Sequence, residues 1–215
     1  MSLSKSKYIA GLQCPRRLWL ASHQAEAGSP PSAARLDDGA EIGRRARGLF
    51  ADGTLVDDAA WRHGEAVART RALLSDPQVG AIFEAAFEHA GVRIRVDVLE
   101  RLPGGTWGLR EVKAGTRVRD VHLHDVALQR FVLEGAGVPL GPVEVVHVDP
   151  DYVRGEHGID WTRFFRRVDV SEDTAALLAD IPARVAAHEH VLELTAAPVV
   201  EPGPHCFRPH RCDFW

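Results

Sequence analysis

The sequence predicts an α/β fold with a mixed sheet flanked by helices, and three observations carry that prediction. VRIRVDVLERL (92–102) sets Val92, Ile94, Val96 and Val98 on one face and Arg93, Arg95 and Asp97 on the other. That period of two marks a strand with one buried face. DVHLHDVALQRFVLEGAG (120–137) gathers Val121, Leu123, Leu128, Phe131 and Val132 largely to one side and ends in glycines, as a helix packed on a sheet does. The elements run helix–strand–strand–strand–helix–strand, an order that packs helices over a mixed sheet.

The remaining elements follow in order. QAEAGSPPSAA (24–34) reads as a small-residue, Pro-rich loop. LDDGAEIGRRARGLF (36–50) spaces Ile42, Ala46, Leu49 and Phe50 as a helix does, after acidic first-turn residues. EAVARTRALLS (65–75) is a second helix, stopped by Asp76-Pro77. AIFEAAFEH (81–89) and TWGLREV (106–112) read as strands on either side of 92–102, with Pro103-Gly104-Gly105 as a hairpin turn. PVEVVHVD (142–149) is a further strand, and DTAALLADIPARVAAHEHVLEL (173–194) is helical with an interruption near Pro182. No internal repeat is visible. The chain of 215 residues is long enough for one ample core. We expect a single domain over 1–215, with its core at about 36–150 and terminal segments at 1–20 and 201–215.

Composition narrows the function classes. The chain is 45% hydrophobic and 26% charged. No apolar run approaches the ~18 residues that span a bilayer. MSLSKSKYIAGLQCPRRLWL lacks the apolar core and small-residue cleavage site of a signal peptide, so a cytoplasmic protein with no membrane partner is expected. A net charge of −4 creates no global basic field for nucleic acid. Local arginine groups at Arg16/Arg17, Arg44/Arg45/Arg47, Arg93/Arg95, Arg117/Arg119 and Arg163/Arg166/Arg167 leave the partner open. Of the five tryptophans, Trp19, Trp61, Trp107, Trp161 and Trp215, packing rather than base stacking is expected.

WGLREVKAG (107–115) concentrates the chemistry. Cationic positions are spelled almost wholly with arginine, and Lys5, Lys7 and Lys113 are the only lysines. A turn centred on Gly104 places Asp97 directly opposite Glu111. Facing carboxylates on neighbouring strands repel, unless a divalent cation lies between them. Lys113 shares the face of Glu111, since side chains two apart on a strand point the same way. Two hard oxygen ligands with one ammonium suit Mg²⁺ or Mn²⁺ chemistry on phosphate. The ammonium would orient the attacking water or stabilise charge in the transition state. The alternative is an exposed Glu–Lys pair with no chemistry. By alternation Arg93 and Arg95 share the Asp97 face and are candidates for binding nucleic-acid phosphate. His122 and His124 could approach the site, and Tyr152 is open to packing or DNA contact.

Asp97, a hairpin, Glu111-Val112-Lys113 and then a helix carrying Gln129 resemble the PD-(D/E)XK nuclease superfamily in its RecB-like branch. "SKSKYIAGLQCPRRLWL" and "PGPHCFRPHRCDFW" resemble the terminal segments of a bacterial family related to the CRISPR-associated and RecB-type exonucleases. The resemblance covers nearly the whole chain. It implies a restriction-endonuclease-like mixed sheet and metal-dependent hydrolysis of DNA, single- or double-stranded. It also implies a helicase or another repair or defence protein as partner. Asp97 and Glu111 would hold Mg²⁺ or Mn²⁺ with the Val112 carbonyl, Lys113 would assist water, and Gln129 would position water or substrate.

Two departures stand out. RecB-like nucleases place a metal-binding His after a Gly in the first helix motif. In "DDGAEIGRR", with Gly39 aligned, Gly43 stands at that position and Glu41 is the nearest replacement ligand. A catalytically inactive binding module for nucleic acid or protein on the same scaffold is therefore the alternative function. The second departure concerns Cys14, Cys206 and Cys212. In the relatives, one N-terminal and three C-terminal cysteines hold an iron–sulfur cluster, and the fourth position would lie past Trp215. Thiolates in that role suit an iron–sulfur cluster or zinc, and His205 or His210 could complete a zinc site. The plain alternative is three unliganded cysteines. Either ligand set would join the chain's two ends in a cysteine patch.

Overall fold

A seven-stranded mixed sheet forms the frame. The computed structural model describes residues 2–28 and 33–215, with side chains over 33–37 left out. Residues 29–32 of the expected loop lie outside the described residues. In chain order the elements are β1 (Leu3–Ser4), α1 (Lys5–Gln13), α2 (Pro15–His23), α3 (Ala33–Arg47), β2 (Gly53–Leu55) and α4 (His63–Ser75). Then come β3 (Ala81–His89), β4 (Val92–Arg101), β5 (Trp107–Lys113), α5 (Asp120–Gly135) and β6 (Leu140–Val148). α6 (Trp161–Phe164), β7 (Phe165–Asp169), α7 (Ser171–Leu177) and α8 (Ile181–Glu193) complete the chain's regular elements.

The expected strands and main helices appear within a few residues of their predicted bounds. The break near Pro182 is a 3₁₀ turn over Leu178–Asp180 that separates α7 from α8. Absent from the sequence reading are the two N-terminal helices and the strands β1, β2 and β7. Ser4 caps α1, accepting from the Lys7 amide at 3.4 Å, and Pro15 opens α2 where its missing N–H costs nothing. Gly104 and Gly105 take φ of 83° and 82° in the β4–β5 turn, a conformation open to glycine.

The sheet runs β2-β3-β4-β5-β6-β7, with β1 paired to β4 off that path. β3, β4 and β5 are antiparallel, β5 and β6 parallel. The larger core, with Leu99, Leu109 and Val145 from the sheet, takes Val126, Leu128, Val132 and Leu133 from α5. Smaller clusters join Phe50, Phe83 and Val98, and Ala46, Val146 and Phe165, with Ile42 of α3 packed on the second. Among the described residues no helix is long and apolar enough to cross a membrane.

β4 changes partner along its length. At Val92 and Arg93 it pairs in parallel with Leu3 and Ser4 of β1. From Val98 to Arg101 it pairs with Arg110 back to Trp107 of β5. β3 lies along the opposite edge throughout, so β1 and β5 occupy successive stretches of the same edge. Between them the sheet forks, and α1 begins at Lys5 in the fork.

Candidate active site

Asp97 sits at the fork. The β4–β5 register places Val98 opposite Arg110, so the next row would pair Asp97 with Glu111, as the centred turn predicts. The main-chain ladder stops one row short. In its place the Asp97 carboxylate Oδ2 accepts from the Val112 amide at 2.8 Å. On the other edge, Phe83 faces Val98 and Ala85 faces Val96, which sets Glu84 beside Asp97. Glu84 takes a φ of 55°, uncommon for a residue with a side chain. Asp97 thus lies in a row where neither neighbouring strand pairs regularly.

α5 closes the site over Glu111. The Gln129 amide nitrogen, fully buried, donates to Glu111 Oε2 at 2.7 Å and to Asp125 Oδ1 at 3.2 Å. Lys113 Nζ donates to Glu111 Oε1 at 2.6 Å and to Asp125 Oδ2 at 2.7 Å. Lys5 Nζ reaches both Glu111 oxygens, at 3.4 and 3.3 Å. The structure therefore brings Asp97, Glu111, Val112, Lys113 and Gln129 together, and adds Asp125 and Lys5, which sequence reasoning missed. Asp125 lies one helical turn before Gln129 and shares its face, a signal available in the sequence. Lys5 carried no such signal.

Three carboxylates face two ammoniums here, and their protonation reflects that imbalance. Burial and then the Glu111 charge push the Asp97 carboxyl up to about 7. Burial also works against the charge of Glu111, yet Lys113 and Lys5 outweigh it and hold Glu111 well below the usual carboxylate range. Asp125 is raised by burial and by Glu111. Burial opposes the Lys113 charge, but Glu111 and Asp125 prevail and keep its ammonium above its ordinary range. The site has room for more positive charge. Two hard carboxylates, one short of a counter-charge, fit part of the oxygen set of Mg²⁺ or Mn²⁺. Among the described residues no group of three or more His, Cys, Asp or Glu side chains is arranged to hold a metal ion. Further ligands would be the Val112 carbonyl, water or substrate oxygens.

Asp97, Glu111 and Lys113 open on a cavity of about 540 Å³ whose far wall is α3. Gly39 and Gly43 line it with Arg44 and Arg47, and a Cβ at Gly43 would meet nothing within 4 Å. Glu41 does not replace a ligand there. It pairs with Arg44 and Arg45 on the exposed side of α3, because a residue two positions from both Gly39 and Gly43 points away from them.

The arginines also differ from expectation. Arg93 pairs with Glu88 at 2.9 Å. Arg95 donates to the carbonyls of Val56, Glu84 and Asp58 at 3.3, 3.2 and 2.9 Å. Neither lines the cavity, and Arg44 and Arg47 do. Tyr152 packs: its hydroxyl accepts from the Asp160 amide at 2.7 Å and its ring meets Phe164 edge-on. His122 lines a second cavity beside Lys5, whereas His124 lines another beside Arg184. Trp19 and Trp107 are buried as expected, but Trp61 is 83% and Trp215 56% exposed.

The chain ends do meet. The Gln13 amide nitrogen donates to the His205 and His210 carbonyls at 2.8 and 2.9 Å, and Arg17 pairs with Asp213 at 2.7 Å. Cys14, Cys206 and Cys212 are half-buried free thiols. The Cys212 amide donates to the Cys206 carbonyl at 2.7 Å, and Cys206 Sγ lies 3.5 Å from His205 Nε2. The Gln13 hydrogen bonds and the Arg17–Asp213 ion pair hold the two ends together.

No family model and no curated protein matches the chain. Among solved structures, the crystal structure of SSO0001 is similar over 91% of this chain and 78% of that one, at 13% identity and a TM-score of 0.41.

Proposed function

We propose that the chain is a metal-dependent DNA nuclease of the PD-(D/E)XK type, with Asp97, Glu111, Lys113 and Gln129 at its centre. The observation that supports this most is their convergence where β4 exchanges β1 for β5. A sheet built for stability alone would not bury Asp97 beside Glu111 and Asp125 with two ammoniums for three carboxylates.

Bound Mg²⁺ or Mn²⁺ would supply Lewis acidity at the phosphate and a water of lowered pKa. The protein's own groups do the rest. Gln129 fixes the orientation of the Glu111 carboxylate through Oε2. Glu111 stays ionised across the neutral range under the two ammoniums. Lys113 keeps its proton, so it acts as a donor that orients water or stabilises developing negative charge, not as a base. Asp125 anchors Lys113 from the far side and keeps its ammonium aimed into the site.

A non-catalytic binding module on the same frame is the second reading. Gly43 stands where the resemblance expects a ligand His, and the charge of Glu111 already meets two ammoniums. Cleavage of labelled DNA in Mg²⁺ or Mn²⁺ separates the two. On the nuclease reading Glu111→Gln and Lys113→Met each lower the rate by about 10²–10³-fold, while the fold persists. Folded protein that cleaves no DNA, or cleavage indifferent to both variants, would reject it.

A further inference from the structure

Lys5 reaches the site from the amino-terminal segment, far in sequence from Lys113 in mid-chain, and its contact is of a different kind. Lys113 and Gln129 each take one Glu111 oxygen at 2.6 and 2.7 Å, while Lys5 sits 3.4 and 3.3 Å from the pair. Two short directional bonds already hold the carboxylate. Lys5 adds charge to them and little direction, and a stronger anion would draw it away.

That anion has a place to bind. Lys5 lines a cavity of about 420 Å³ on the α1 side of Glu111, together with Arg17, Lys113 and His122. Arg17 is fixed there by Gln13 at 2.5 Å and Asp213 at 2.7 Å, and Lys113 by Glu111 and Asp125. Lys5 is 23% exposed, on a flexible four-carbon stem that touches both the buried carboxylate and the cavity.

We propose that Lys5 is a substrate-binding residue, taking a backbone phosphate of a nucleic-acid strand in the α1-side cavity, next to the phosphate under attack. The assignment rests on the nuclease reading of Asp97, Glu111 and Lys113. When Lys5 turns to phosphate, Glu111 retains Lys113 and Gln129, so its orientation survives. The N-terminal segment thereby contributes binding, while β5 and α5 contribute chemistry.

Fluorescence anisotropy of a labelled single-stranded DNA oligonucleotide in EDTA, across a salt series, tests this. Lys5→Gln is expected to weaken binding about tenfold at low salt and to flatten the slope of log K against log salt by about 0.7, the share of one phosphate contact on a single strand. Lys5→Arg should restore most of both. Lys7→Gln removes the same net charge outside the cavity and should leave the slope nearly unchanged. Under cleavage conditions Lys5→Gln should raise KM more than it lowers kcat. A second readout uses the wild type alone: with three lysines in the chain, amine labelling and mass spectrometry should show the oligonucleotide shielding Lys5 but not Lys7. Wild-type slope in Lys5→Gln, or no shielding of Lys5, would overturn the assignment and reduce Lys5 to a counter-ion of Glu111, with the nuclease reading untouched. Binding and shielding without cleavage would remove the nuclease reading and leave Lys5 as a binding residue. A wild type that binds no oligonucleotide would overturn both.

Discussion

Replacing Asp97 by Asn should stabilise the protein above neutral pH and do much less in mild acid. The folded Asp97 titrates near 7, pushed up by burial and by Glu111, against about 3.9 in an unfolded chain. Between those values the folded state holds the extra proton, so unfolding becomes easier as pH rises through that window. Once both states are ionised the penalty approaches about 4 kcal/mol, and about 2–3 kcal/mol of it develops between pH 5 and pH 8. Asn keeps an oxygen to accept from the Val112 amide, so the substitution removes charge with little change in packing. At about 2–4 °C per kcal/mol for a chain of this size, Asp97→Asn should gain up to about 5–10 °C more in Tm at pH 8 than at pH 5. Thermal melts at both pH values, with and without Mn²⁺, measure it. On the nuclease reading Mn²⁺ stabilises the wild type and leaves the variant nearly unchanged. A variant no more stable than wild type at pH 8, with the same difference at pH 5, would refute the charge argument.

Gly43→His should place an imidazole in open space beside the carboxylates. Calorimetry should then show Mn²⁺ bound about tenfold tighter than in the wild type, while helix propensity changes by less than about 1 kcal/mol. Arg95→Met strips the carbonyls of Val56, Asp58 and Glu84 of a charged donor. Chemical denaturation should report a loss of about 2–3 kcal/mol. Arg110 is 2% exposed and bridges Glu100 and Glu144 at 2.9 and 3.2 Å on the strands flanking β5. Arg110→Met leaves two carboxylates with only Arg167, and a loss of about 3 kcal/mol is expected in the same assay.

How far the sequence led is clearest at three places. The Asp97–Glu111 row was legible because a Gly-rich turn sets the register of a hairpin, and one known row determines the others. Asp125 was legible in principle through its spacing from Gln129. Lys5 was not, because its position depends on a two-residue strand pairing in parallel with β4, and neither so short a strand nor so distant a pairing leaves a periodic trace. Arg93 and Arg95 were misread for a different reason. Alternation along β4 gave them the face of Asp97, but Glu88 of β3 takes Arg93 and the carbonyls of Val56, Asp58 and Glu84 take Arg95 before either can reach the site. Glu41 failed for a simpler reason, since its ion pairs with Arg44 and Arg45 follow the spacing of a solvated helix surface. The helices α1 and α2 are short and meet at Cys14-Pro15, which reads locally as a break.

The clasp of Gln13 on the His205 and His210 carbonyls bears on the order of assembly. The two sides of the clasp lie 192 and 197 residues apart in sequence. Closing a loop of nearly the whole chain is slow compared with forming the β3–β4–β5 meander. Lys5 likewise reaches Glu111 through the long-range pairing of β1 with β4, a contact expected to form later than the local meander. A folding intermediate with the meander formed and β1 unpaired would hold the carboxylates with Lys113 but without Lys5, so the site's charge balance is completed late in folding.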